Sequence, residues 1–179
     1  DIAAQEDLDL VVCVGDYIYE RAAPGGVRSD RTGVNRDGDV QSLDEYRRKY
    51  RLYQRDPDIQ AMHGAHAHRA FWDSHDVETY NNGDPEADAY GAERRVSHQQ
   101  RLRAGVRAFL ESMPQGHPDR RRLIYREIPL GALGSVILTD EQLHADPYPC
   151  SFSFPPKSCP EASDPGRQYL GPAQKAWLK

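Results

Sequence analysis

Nowhere in the 179 residues does an apolar run approach the ~20 positions that a membrane-spanning helix needs. No signal-peptide pattern, internal repeat or low-complexity tract is present either. Basic residues do not dominate: 23 Lys and Arg stand against 28 Asp and Glu, for a net charge of -5, and the arginines are spread along the chain. That balance argues against a nucleic-acid-binding protein. Cysteine is scarce at three residues, and no C-x-x-C pair or nearby histidine accompanies Cys150 and Cys159, so a zinc site there is disfavoured. The two bracket a proline-rich stretch, Ser151 to Ser158, with little means of ordering itself. A disulfide would order it and would imply an oxidising compartment, periplasmic or extracellular; the alternative is two free thiols. Cys13, within an apolar run, reads as a packed thiol.

What is present describes one folded domain, 38% hydrophobic and 28% charged, long enough to bury a core. The chain opens as if in the tail of a helix. It closes on Leu170 to Lys179, which reads as a helix start with Pro172 in its first turn. Residues 1–179 are thus expected to be a partial domain, cut at both ends from a larger protein.

Between those ends, strands and helices alternate in an α/β or layered α+β pattern. Arg21 to Val40 predicts a long surface loop. Ser42-Leu43-Asp44-Glu45 is a capping box opening a tyrosine-rich helix that restarts near Pro57. Ala70-Phe71-Trp72 predicts a short buried strand, Ala92 to Met113 a helix, and Leu123 to Ile128 an edge strand. Gly131 to Gly134 is a turn, and Ser135 to Leu138 a second buried strand.

Two clusters carry chemistry. Leu10 to Val14 predicts a strand buried on both faces; it stops at Gly15, and Asp16 follows. Carboxylates at the C-terminal ends of buried strands are where open α/β sheets place ligand chemistry. Tyr19 brings a phenol to the same point, and the pair are hard oxygen donors suited to Fe(III) or another oxygen-seeking metal. The same residues read equally as a strand ending in an ordinary turn capped by Asp16. The second cluster, Trp72-Asp73-Ser74-His75-Asp76 with Asn81-Asn82 beyond, offers carboxylates, an amide oxygen and a proton donor. Those are the parts of metal-assisted phosphoryl hydrolysis. Its plainer reading is a capping Asp-Ser and a surface histidine.

Val14-Gly15-Asp16-Tyr17-Ile18-Tyr19-Glu20, Tyr46-Arg47-Arg48-Lys49-Tyr50 and Trp72-Asp73-Ser74-His75-Asp76-Val77 together resemble the PhoD alkaline phosphatases of the calcineurin-like metallophosphoesterase superfamily. Leu170 to Leu178 resembles that family's L-G-x-x-Q-x-x-W-L helix, and the resemblance spans essentially the whole chain. It implies an incomplete calcineurin-like βαβ sandwich, in a secreted or periplasmic monomer that acquires phosphate. The implied reaction is hydrolysis of phosphomonoesters, and of diesters, at alkaline pH by attack of a metal-bound hydroxide. Asp16 matches the carboxylate bridging two ions, Tyr19 a tyrosinate ligand to Fe3+, and His75 the group that meets the phosphate and leaving oxygen. Asp73 and Asn82, of the Asn81-Asn82 pair, match the region holding Ca2+. Ser74 replaces the family's second aspartate, Thr79-Tyr80 are extra, and no arginine follows Asp140. The family's upstream cysteine block and downstream Asp/His block are absent from these residues, so the segment alone is expected to be inactive.

Two rivals remain. His63-Gly64-Ala65-His66-Ala67-His68 has zinc-like spacing, but Arg69-Ala70 stands where an Asp-His pair would be required. A secreted binding module using the Arg/Tyr-rich helix 43–53 would explain that helix's charges, though not the acidic strand ends.

Overall fold

The computed structural model describes residues 2–22, 26, 28–77, 95–114, 124–147, 149–150 and 158–179. Strand β1 (Val11–Cys13) pairs in parallel with β2 (His68–Ala70), Val11 opposite His68 and Cys13 opposite Ala70. Between them run α1 (Leu43–Gln54) and α2 (Pro57–Ala65). Beyond β2 come a single turn, α3 (Ser74–Val77), and the longer α4 (His98–Ser112). A hairpin of β3 (Arg126–Pro129) and β4 (Ser135–Leu138) forms a separate antiparallel sheet, and α5 (Gly171–Leu178) ends the chain. No helix among the described residues is long and apolar enough to cross a membrane.

Local chemistry sets the helix boundaries. Ser42 and Glu45 complete the expected capping box, and Asp56 caps α2 with Pro57 in its first turn. Helix α4 starts at His98, because Ser97 and Gln100 form a second capping box there. One face of α1 and α4 then closes over the first sheet. Tyr46, Tyr50, Trp72, Val77 and Phe109 are buried together, with the Trp72 and Phe109 rings edge-to-face at 5.3 Å. Gly105 permits the close approach of α4 to α3, since a Cβ there would lie 3.0 Å from the Asp76 carbonyl oxygen.

Two strands are less buried than their composition predicts. Val14 is 68% exposed and β1 is only half-buried, while Ile137 on β4 is 52% exposed. Among the described residues each sheet has two strands.

The stretch after Glu20, expected as a surface loop, is anchored by charge. Lys49 is fully buried; its ammonium donates to the Asp30 carboxylate and, at 2.6 Å, to the Gly38 carbonyl oxygen. Arg101 reaches Asp39 at 2.9 Å and donates to the Val40 carbonyl oxygen, and Arg95 pairs with Glu45 at 2.7 Å. Burial alone would raise the Glu45 carboxyl, but Arg95 and the amides of Ser42 and Gln41 outweigh it and bring it down to about 2. Two of the three arginines of α1 are also engaged, Arg47 with Glu111 and Arg48 with Asp44.

Cys150 and Cys159 form a disulfide with Cα atoms 5.8 Å apart, and Cys13 is a half-buried free thiol. Thiol titration of the unfolded, unreduced chain is expected to find one reactive cysteine, and three after reduction. Three before reduction would refute the pairing.

Candidate active site

Past β1 the backbone turns through two successive left-handed residues, Gly15 at φ 102° and Asp16 at φ 50°. Gly15 lies against the second cluster. A Cβ there would fall 2.8 Å from the Asp73 backbone nitrogen and closer still to its Cβ, so only glycine fits. Asp16 occupies a conformation that non-glycine residues seldom adopt, and such strain gathers at functional positions. Gly15→Ala is expected to destabilise the protein by about 1–3 kcal/mol in denaturant unfolding; a loss under ~0.5 kcal/mol would contradict this packing.

This turn brings both strand ends together. Asp16 Oδ1 accepts from the His75 backbone N–H at 3.3 Å, and the Tyr19 hydroxyl lies 3.5 Å from Asp16 Oδ2, a long contact rather than a tight bond. The Tyr19 and His75 rings meet with centroids 4.0 Å apart. The His75 Nδ1 is 2.6 Å from Glu20 Oε2. Asp73 Oδ1 accepts from the Ser74 N–H at 2.7 Å and from the Gln142 side-chain amide.

Asp76 has a different place. It is fully buried and staples the two loops, accepting from Ile18 N–H at 3.2 Å, Asp73 N–H at 3.0 Å and the Tyr50 hydroxyl at 3.4 Å. Burial, with Asp16 nearby, pushes its carboxyl up to about 7 despite those amides. Burial likewise raises Asp16; the His75 ring opposes this and the Asp73 charge adds to it. Tyr19 is raised by burial and then by Asp16. Burial pushes His75 down, but Glu20, Asp16 and Asp76 outweigh it and leave it raised.

Of the expected site residues, Asp16, Tyr19, Asp73 and His75 converge, while Asn81 and Asn82 lie outside the described residues. Glu20, Gln142 and Asp140 were not anticipated. Asp140 is buried and accepts from Trp72 Nε1–H and the Gln142 and Leu143 amides, each at 3.0 Å, fixing the loop that carries Gln142. The only signal for Glu20 was its place in the Gly15 to Glu20 motif; nothing local marked Gln142. In the His63 to His68 run, His63 stacks on His68 at 4.0 Å and His66 Nε2 meets the Ile2 carbonyl oxygen at 2.9 Å.

The donor set suits a hard cation. A carboxylate and a phenol oxygen stand near one another, and Asp16, Asp73 and Asp76 together hold the Tyr19 proton more tightly, a field that a cation would relieve. No cluster of three or more His, Cys, Asp or Glu able to hold a metal gathers among the described residues.

Alkaline phosphatase D of Bacillus subtilis (strain 168) is 31% identical over 181 residues, covering 98% of this chain and 30% of that protein. A solved structure described as "Structure of PhoD" superposes with a TM-score of 0.70 at 26% identity, over 99% of this chain and 34% of the other. The chain therefore spans about a third of the length of these relatives. The family model for the PhoD-like phosphatases matches residues 1–179 from end to end, and the chain belongs to that family.

Proposed function

We propose that the intact protein is a metal-dependent phosphoric ester hydrolase of the alkaline phosphatase D type, to which these residues contribute the bridging half of the centre. The carrying observation is the meeting of Asp16, Tyr19, Asp73 and His75 at two adjoining strand ends. Family membership supports phosphoester hydrolysis and metal dependence. The surrounding architecture is the two-sheet calcineurin-like core, partly supplied here, and the remaining ligands come from outside these residues.

Asp16 and Tyr19 would help to hold Fe3+, and Asp16, Asp73 and Asn82 would help to hold Ca2+. Bound ions would supply Lewis acidity and an ionised water for in-line displacement at phosphorus. Asp16 and Tyr19 orient the site, and Asp73 is aimed by its bonds from Ser74 and Gln142. His75, packed on Tyr19, meets the phosphate and delivers a proton to the departing alkoxide of a phosphomonoester or diester. The protein works as a monomer outside the cytoplasm, a placement that the Cys150–Cys159 disulfide supports.

The test is elemental analysis of the intact protein, purified without chelator, beside release of phosphate from p-nitrophenyl phosphate at alkaline pH. Bound iron and calcium, a violet tyrosinate–iron absorption band and turnover abolished by chelator are expected. Absence of both metal and turnover would overturn the reading.

A further inference from the structure

The geometry points to Glu20 as the positioning residue of His75, keeping a hydrogen on Nδ1 so that Nε2 is the nitrogen that takes up the second proton of the imidazolium and gives it to the leaving oxygen. This rests on the role proposed above for His75. Glu20 is only 1% exposed, and its Oε2 lies 2.6 Å from His75 Nδ1. A carboxylate oxygen only accepts, so the nitrogen facing it carries a hydrogen. A carboxylate on one imidazole nitrogen selects the tautomer and orientation with which the other nitrogen acts.

Glu20 is itself held. Its carbonyl oxygen accepts from the Val40 N–H at 2.9 Å, Arg21 Nε stands 3.7 Å from its Oε1, and Arg21 and Arg101 both reach Asp39, next to Val40. Tyr19 packs on the ring with centroids 4.0 Å apart, and the His75 backbone N–H donates to Asp16 Oδ1, holding the backbone that carries the ring. The anchored stretch after Glu20 thus ends, through one carboxylate, on the histidine.

Two variants of the intact, metal-loaded protein test this, Glu20→Ala and Glu20→Gln. An amide oxygen can still accept from Nδ1–H, whereas alanine cannot. Nitrogen-15 NMR of His75 at alkaline pH should show the Nδ1–H tautomer in the wild type and in E20Q, and a mixture in E20A. For E20A, kcat should fall roughly 10- to 100-fold, as outer-shell partners of functional histidines typically cost. KM should change less than ~3-fold, because the loss falls on the transition state, and E20Q should retain most of the rate. A wild-type His75 carrying its hydrogen on Nε2, or an unchanged tautomer in E20A, would overturn the proposal. So would loss of metal or fold in both variants, which would make Glu20 merely structural. The tautomer is readable even in a protein without phosphatase activity, so failure of the phosphatase reading is distinguishable from failure of the Glu20–His75 pairing.

Discussion

Asp16→Asn in the intact protein is expected to lower phosphate-ester turnover by on the order of a thousand-fold or more, with the fold intact. Asparagine is nearly isosteric and is among the few residues that tolerate the left-handed conformation at φ 50°. It can still accept the His75 N–H through its amide oxygen. What it lacks is the negative charge, and with it the bridging of cations. Bound iron should fall in parallel, while the unfolding free energy of the metal-free protein stays within ~0.5 kcal/mol of wild type, as for other changes that leave packing alone. Normal turnover in this variant would remove Asp16 from the centre.

Asp30→Asn is expected to cost about 3–5 kcal/mol of stability, because it leaves the Lys49 ammonium buried without its counter-charge. Neither side chain has solvent to fall back on, at 0% exposure for Lys49 and 7% for Asp30. Burial already pulls the Lys49 ammonium below its ordinary range, with Asp30 as the main force opposing it. Replacing the pair together, as Asp30→Asn with Lys49→Met, should recover at least half the loss, since a buried pair is often no better than apolar packing of like volume. Urea unfolding of the wild type and the two variants checks this; a loss under ~1 kcal/mol in Asp30→Asn would show that the ammonium reaches water.

The helices were legible because their signals are local. Ser42 with Glu45 and Asp56 with Pro57 fix two starts within a few residues. The turn at Gly131 to Gly134 was legible for the same reason, its glycines taking φ 60° and 143°. Burial was not. Ser135 to Leu138 is a strand as expected, yet Ile137 lies open, because cover depends on what packs across a sheet. The stretch after Glu20 read as surface because its anchors, Lys49, Arg95 and Arg101, sit on later parts of the chain. In the site, the motif residues Asp16 and His75 stood out by type and place. Their supports did not, since Glu20 meets its partner 55 positions away and Gln142 meets Asp73 across 69.

Parallel pairing of β1 with β2 places all of α1 and α2 in the loop that the pairing closes. Closing a long loop carries an entropic cost that non-local contacts repay only once they form. The Asp16–His75 bond spans 59 positions. During synthesis the first strand end must therefore wait, an exposed acidic stretch, until the second has been made and both helices have docked. The meeting of Asp16 with His75 then reports a finished fold, and a chain stopped short of His75 cannot form it.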